Sequence, residues 1–535
     1  APLALLTLGI LSLGVLLPAG NAQASLALDG GFGTGGIAEV DIASGPDSAR
    51  QVAVQADDAL VLAGRSRQAT GPETIDFVSV TRLNGTTGSP DATFGTGGTV
   101  TFLPGLAAAS GGGGDGRAVA IQPADQKIIV AGIWKADLVA PRQVFVARLE
   151  TNGTLDATFG TGGVVLFTPA GVTNPVTNAV ALRSDGSIIV AGTDAAPDAN
   201  AGFIAGLDAA GDPIPGFTDA VIPNPLADDG LNFSLNTLAI LPGDGILVGG
   251  GGGDLTLAQF TSTGAPDPAF DGDGVATFNF LSFDTVDGPS PSFDVITELA
   301  VLGDGRILIA GRAGSSATAT ATNRILGRVS AAGELDATFG SGGYAPFADE
   351  ASAEVPDGLG VRPSGDIVLV GEGFNPLQVS PNGISQSALP GAFGPLLLDL
   401  KVLAGGDVVA AGQAAVAAGN TSIAAVRLAV ADLADGPDTV PDPFAFPTRT
   451  GLETDIPVTS DPVTIQGIDE PAAISISNGD AYSVGCTTYT SLPGTISAGQ
   501  TVCVRTTSSP NGSTDRRALL TVGGVVGQFT VITGD

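Results

Sequence analysis

The stretch AFDGDG, residues 269–274, sets Asp271 and Asp273 two positions apart among glycines, an arrangement in which oxygen ligands hold calcium. No glutamate follows at the distance an EF-hand needs, and the stretch stands where a plain glycine turn recurs elsewhere in the chain. A calcium loop at Asp271 and Asp273 and an ordinary acidic turn are both open readings, and no other cofactor is expected. The tracts GGGGDG (111–116) and VGGGGGD (248–254) have the glycine content of phosphate loops. Neither leads into Lys-Ser/Thr or opens a helix, so both read as flexible turns.

The 535 residues include no histidine, which excludes Ser-His-Asp and Cys-His catalysis and histidine-bound zinc or iron. An enzyme made from this inventory would use carboxylates, one as acid and another as base or nucleophile on a glycan. Spacing singles out no such pair among 54 acidic residues. Trp134 is the single tryptophan and Tyr344, Tyr482 and Tyr489 the three tyrosines, which is sparse for a sugar-stacking cleft.

Asp and Glu outnumber Lys and Arg 54 to 21, a formal charge of −33. Such a surface repels nucleic acid and anionic lipid. The opening residues APLALLTLGILSLGVLLPAGNAQAS form an apolar run that ends in the small-x-small pattern Ala22-Gln23-Ala24. Residues 1–24 therefore read as a signal peptide, with a membrane anchor as the alternative. No second apolar run of membrane length follows, so the mature chain is expected to be exported, secreted or on the cell surface, with no membrane span. Cys486 and Cys503, the only cysteines, would then meet an oxidising compartment; they are 17 apart in two predicted neighbouring strands and are expected to pair.

Elements that could position any site emerge from a repeat. Strands written LVLAG, IIVAG, IIVAG, ILVGG, ILIAG, IVLVG and VVAAG end at Gly64, Gly132, Gly192, Gly250, Gly311, Gly371 and Gly412. Seven units at spacings of 68, 60, 58, 61, 60 and 41 residues suit four-stranded sheets with variable loops better than a solenoid. In one unit, AVAIQ (118–122), a tight PADQ turn and KIIVAG (127–132) form a hairpin. VFVARLE (144–150), a turn and VVLF (164–167) complete the sheet.

Phe32, Phe94, Phe159, Phe217, Phe270, Phe339 and Phe393 recur once per unit and are expected to plug the gap between one blade and the next, each burial worth roughly 1.5 to 3 kcal/mol. The glycines beside them permit sharp turns and close approach. An FGTGG strand segment opens the mature chain before any hairpin, whereas the last hairpin has none after it. The N-terminal strand should therefore complete the final blade and close the ring.

The units LDATFGxGG, AVAIQxDGKIIVAG and FxVARLxxNG resemble the delta-60 repeat family of bacterial β-propellers and, more distantly in strand order, NHL-type propellers, over about residues 28–433. The resemblance implies a propeller fold in an exported bacterial protein and assigns no catalytic residue. The segments 212–220 and 390–395 depart from the repeat by losing the second glycine pair.

A Pro- and Asp-rich connector, 434–451, follows the propeller of residues 25–433. Residues 452–535 alternate in short β runs that fit a small β-sandwich of about seven strands. SDPVTIQGI, NGDAYSV and TVCVRTTSS are similar to an immunoglobulin-like module of bacterial surface proteins. The expected fold class is thus all-β, a seven-bladed β-propeller closed by its N-terminal strand and followed by an immunoglobulin-like sandwich.

The expected function is a non-catalytic binding or adhesion scaffold whose propeller loops present to an extracellular protein or glycan, with no nucleic-acid partner. One alternative is a carboxylate-based glycan hydrolase or lyase working in the propeller funnel, for which close carboxylates with raised pKa values would speak. Another is self-assembly into a surface layer or fibre.

Overall fold

The computed structural model of the chain describes residues 26–43, 45–70, 73–105, 112–196, 201–223, 233–278, 294–314, 322–345, 347, 355–372, 374–384, 386–388, 394–417, 420–430, 441, 444–466, 468, 471–477, 480–523 and 525–534. Residues 1–24, read above as a signal peptide, Phe393 and half of the connector lie outside them. Every named element among the described residues is a β-strand, and none is a helix long and apolar enough to cross a membrane. The chain divides into two compact units, residues 24–433 and residues 434–535.

In the first unit the plainest sheet runs Pro175–Leu182, Ile188–Asp194, Ala201–Leu207 and Ala220–Pro223, each strand antiparallel to the next. The hairpin between its first two strands turns on Gly186 (φ 83°), and the related turns use Asp58, Gln126, Asp244, Gly305, Gly365 and Gly406, all at positive φ. A second four-stranded sheet spans Val355–Val361 to Gln386–Ala388. Elsewhere two four-strand groups merge into an eight-stranded sheet through Asp76 and Gly113. A seven-stranded sheet forms where Ile246–Gly253 pairs with Asp294–Val301. In the remaining sheet the two ends of this stretch meet: Leu26–Leu28 and Ile37–Val40 both pair with Asn420–Val430, Leu26 opposite Val430 and Ile37 opposite Val426.

The repeated phenylalanine works as part of a clamp. Phe32, Phe94, Phe159, Phe270 and Phe339 are fully buried. Each ring rests on a glycine in the turn of the following repeat, where an added Cβ would stand 3.1 Å from Phe32 (at Gly88), 3.1 Å from Phe94 (at Gly153) and 3.0 Å from Phe159 (at Gly211).

An arginine from the third strand lies over three of these rings: the guanidinium carbon of Arg82 is 4.9 Å from the Phe94 centroid, that of Arg148 4.7 Å from Phe159 and that of Arg328 4.8 Å from Phe339. Arg148 donates from Nε to Asp156 (2.7 Å), from Nη2 to the Thr158 hydroxyl (3.1 Å) and from Nη1 to the Ala209 carbonyl of the next repeat. Arg82 and Arg328 repeat this set with Asp91, Thr93 and Thr151, and with Asp336, Thr338 and Pro381. The Asp, Thr and Phe of the DATF motif therefore each have a partner in the clamp or in the next repeat. The clamp weakens at Phe217, which is only half-buried: Gly206 takes the arginine's place, and Arg183, just past the strand Pro175–Leu182, covers the ring at 5.0 Å.

Two readings of the glycines need correction. The described part of GGGGDG and the tract VGGGGGD are largely strand, not turns. Gly113–Ile121 and Ile246–Gly253 are buried strands, and at Gly251 a Cβ would meet the Asp294 carbonyl of the adjoining strand at 2.3 Å, so the missing side chains let two sheets join. The seven anchor glycines do not end their strands either; Leu60–Thr70, for example, continues six residues past Gly64.

In the second unit, nine strands form two sheets, one ordered from Arg449–Leu452 to Gly494–Ile496 and the other built around Thr501–Thr507. Both face one core that includes Ile474, Leu520, Phe529, Tyr482, Val502 and Val504. Phe446 is buried in that core and Arg449–Leu452 pairs with Val525–Thr533, so the end of the connector belongs to this fold. Cys486 and Cys503 form a disulfide. Cys503 lies in Thr501–Thr507, but Cys486 sits in the turn after Ala481–Val484 at φ 56°, not in a strand. Replacing both by serine should lower this unit's melting transition by the equivalent of about 3 kcal/mol and leave that of residues 24–433 in place. Calorimetry that found both transitions falling together would contradict the separation.

Candidate functional site

Seven strands in residues 47–402 carry one extra residue each at the same place. The pairing shifts by one at Ala49/Gln51, Gly116/Ala118, Thr177/Ala179, Leu235/Thr237, Ile296/Glu298, Pro356/Gly358 and Leu397/Asp399. Opposite each shift stands an anchor glycine, from Gly64 opposite Ala49 to Gly412 opposite Leu397. A Cβ there would lie 1.8 Å from the Ser48 carbonyl at Gly64, 1.8 Å from Ser234 at Gly250 and 1.8 Å from Leu396 at Gly412. Glycine is thus what lets the partner strand bulge, and a bulge re-aims the side chain it carries.

The seven bulged residues are Arg50, Arg117, Asn178, Asn236, Thr297, Asp357 and Leu398, and all of them line one cavity of about 630 Å³. Four hand a hydrogen bond to the next strand's carbonyl just before its own bulge: Arg117 to Thr177 (2.9 Å), Asn178 to Leu235 (2.8 Å), Asn236 to Ile296 (2.9 Å) and Thr297 to Pro356. Leu398 has no donor to offer, and Asp357 has one only when protonated. Arg50 gives Nη2 to Asp115 instead, so the relay runs from Arg117 to Thr297 and not through the other three strands.

Charge is divided around the cavity. Arg50 Nη2 and Arg117 Nη1 share Asp115 Oδ2 at 3.2 and 3.3 Å. Elsewhere on the wall stand Glu298, Asp357, Glu372 and Asp399. Burial raises Glu298 to about 7, with Lys401 opposing and Asp399 adding to the rise. Burial likewise takes Asp357 to about 7, where the Glu372 backbone opposes the rise and its carboxylate reinforces it. Asp399 is raised by burial against the pull of Lys401, whose Nζ is 2.8 Å from Oδ1, and its Oδ2 accepts the Val52 N–H at 2.9 Å. The arrangement can bind polar groups of both signs and can hold a proton on a carboxylate near neutral pH.

These acids fix a pH dependence. A raised folded-state pKa means that the folded chain keeps its proton longer than the unfolded one, so Glu298 and Asp357 cost stability progressively from about pH 4 up to about 7. The clamp acids run the other way. Burial alone would raise Asp156, but Lys127, the Thr158 hydroxyl and N–H, and Arg148 outweigh it and hold it far below the usual range. The Thr158 counterpart, Thr338, with Arg328, does the same for Asp336 against desolvation. Their contribution is present above about pH 4 and lost below it. The melting temperature of residues 24–433 should peak between about pH 4 and 6, and Glu298→Gln with Asp357→Asn should flatten the fall toward neutral pH. A melting temperature that climbs from about pH 5 to 8 would contradict these shifts.

None of the bulged residues was singled out by the sequence pattern, yet a signal was present: each lies fourteen residues before its anchor glycine, as Asn178 does before Gly192, with fifteen between Arg117 and Gly132. Asp271 and Asp273 are exposed and take no part in the cavity. Asp271 has φ 48° and donates its N–H to the Ala332 carbonyl, as Gly95 (φ 54°) and Gly160 (φ 52°) do to Asn152 and Ala210, so it fills the position of the motif's first glycine. Asp273 accepts the Val275 N–H at 2.9 Å. Among the described residues no group of three or more Cys, Asp or Glu is placed to hold a metal ion. Asp271→Gly should keep or raise the melting temperature, by up to about 1 kcal/mol in stability, with calcium making no difference. A calcium-dependent loss in that variant would restore the metal reading.

Residues 124–159 match the model of a family described as a domain of unknown function, DUF5122, β-propeller, and this supports a β-propeller family. No curated protein matches the chain. Similar solved structures include a catalytically inactive virginiamycin B lyase from Staphylococcus aureus with quinupristin (10% identity, 74% of this chain and 99% of that one, TM-score 0.40). The WD40 propeller domain of Doa1 (11%, 77% and 97%, TM-score 0.38) and the PQQ-bound aldose sugar dehydrogenase of Streptomyces coelicolor (13%, 74% and 98%, TM-score 0.34) are also similar.

Proposed function

We propose that residues 26–430 form a closed seven-bladed propeller in an exported protein and act as a non-catalytic binding scaffold whose ligand enters the central cavity. Seven blades follow if the eight- and seven-stranded sheets are each divided at their junction, and closure follows from the pairing of both ends on Asn420–Val430. Export is supported by the disulfide, and an immunoglobulin-like identity for the second unit by its two facing sheets. The observation that carries the reading is the convergence of seven separately bulged side chains on one cavity wall. Packing alone has no use for an insertion repeated seven times with mostly polar side chains turned to one space. The cavity, rather than the loops, is therefore the site we propose.

Leu398→Trp tests this, since Leu398 takes no part in the relay and an indole would project new bulk into the cavity beside its polar groups. Binding detected on a glycan and surface-protein array should vanish in that variant. Binding that persists in Leu398→Trp but is lost when the exposed Leu138–Val139 loop is replaced would return the site to the loops.

A second reading has its own support. Glu298 and Asp357, raised to about 7, are suited to general acid–base work on a glycan. Cleavage of a polysaccharide that Glu298→Gln abolishes while binding remains would favour it over the scaffold.

A further inference from the structure

The cavity has two poles. At one, Arg50 and Arg117 come from neighbouring inner strands and share the single carboxylate of Asp115, with Arg142 adding a further positive field at Arg117. At the other, Asp357 and Glu372 face the one guanidinium of Arg312. On a ring of seven strands the sixth, which bears Asp357 and pairs with the strand of Glu372, is separated from the first and second by one strand on one side and three on the other, so the two poles are distinct patches of the wall. Arg50 Nε and Arg312 Nε are buried and have no hydrogen-bond partner, although buried donors are nearly always paired. A cluster of cations turned inward is also out of keeping with a chain of charge −33.

We propose that the cavity takes a dipolar small molecule of the amino-acid or short-peptide class, its carboxylate on Arg50 and Arg117 and its ammonium on Asp357 and Glu372. This rests on the reading of the cavity as the ligand site. A guanidinium fork meets a carboxylate with two parallel donors, and Arg50 lines the cavity with its side chain 31% exposed. A dianion would be repelled at the acidic pole and a dication at the basic one, so selectivity for a zwitterion follows from charge placement alone. A volume of about 630 Å³ is in the range of small-molecule sites and exceeds the needs of a lone inorganic ion.

The test is calorimetric titration of the whole chain with glycine, diglycine, triglycine and tetraglycine, which carry the same two charges at growing separation, beside succinate and putrescine at equal ionic strength. One glycine oligomer should bind, with succinate and putrescine at least about tenfold weaker. Arg50→Gln and Glu372→Gln should each weaken it by about tenfold or more, as loss of a charge-assisted hydrogen bond requires. Both side chains are partly exposed, and unchanged melting temperatures would show the variants folded. Succinate or putrescine binding as tightly as the best oligomer, no oligomer binding, or variants that bind unchanged would each overturn the proposal. If the oligomers fail but a small-molecule thermal-shift screen finds a ligand whose effect Leu398→Trp abolishes, the ligand class falls and the cavity reading stands. If no ligand depends on Leu398, both fall.

Discussion

Gly64→Ala should unfold or severely destabilise residues 24–433, by about 3 kcal/mol or more. The added Cβ would stand 1.8 Å from the Ser48 carbonyl and 2.9 Å from the Ala49 Cα, both backbone atoms that no rotamer change can move aside. Relief would require the register to slip and the bulge at Arg50 to straighten. Gly250→Ala and Gly412→Ala should behave alike, because their contacts with Ser234 and Leu396 are the same. By contrast Gly97→Ala, where nothing lies within 4 Å of the new methyl, meets only the cost of a positive φ of 62°. Urea unfolding of the four variants checks this; a Gly64 variant no weaker than the Gly97 variant would show that the anchor glycines do not hold the bulges.

The second large effect is expected at the clamp. Arg148→Met keeps the aliphatic stem and the cover over Phe159 but removes every charge-assisted bond the guanidinium makes. Asp156, 2% exposed, would retain only Lys127 as a cationic partner. Breaking a buried pair by removing one member costs about 3–5 kcal/mol, more than the pair itself contributes, because a buried charge is left behind. Lys127 should hold the result toward the lower end. Adding Asp156→Asn to Arg148→Met should recover part of the loss, and a double variant less stable than the single one would contradict the account. The third repeat is a natural control: with Gly206 in place of the arginine, its ring at Phe217 is already half-exposed.

The same comparison shows what could be read from the chain. The recurrence of Phe with DAT and GG was enough to place an interlock, since a residue needed once per repeat for packing appears once per repeat. The partner arginine was equally visible in TRLNG, ARLE and GRVS, but its role depends on a carbonyl in the following repeat, about sixty positions away, which no local pattern encodes. The anchor glycine was seen and misread. A glycine after an apolar run signals a strand end when only local conformation is considered, whereas here it makes room for a bulge on the neighbouring strand. The glycine tracts at 111–116 and 248–254 were misread for the same reason: local flexibility was inferred where close approach of two backbones is the cause.

The bulged residues themselves escaped because they share no chemistry. Arg50, Asn178, Thr297 and Leu398 are alike only in offset from a glycine. Asp271 went the other way: its spacing suggested a ligand, and its backbone angle accounts for it as a glycine substitute.

The account depends on seven bulges turning seven side chains into one cavity. A crystal structure of the whole chain tests it most directly. The account predicts an extra residue opposite each of Gly64, Gly132, Gly192, Gly250, Gly311, Gly371 and Gly412, with Arg50, Arg117, Asn178, Asn236, Thr297, Asp357 and Leu398 around a common solvent-filled space. Regular pairing through those positions, or those side chains spread over separate outer surfaces, would contradict it.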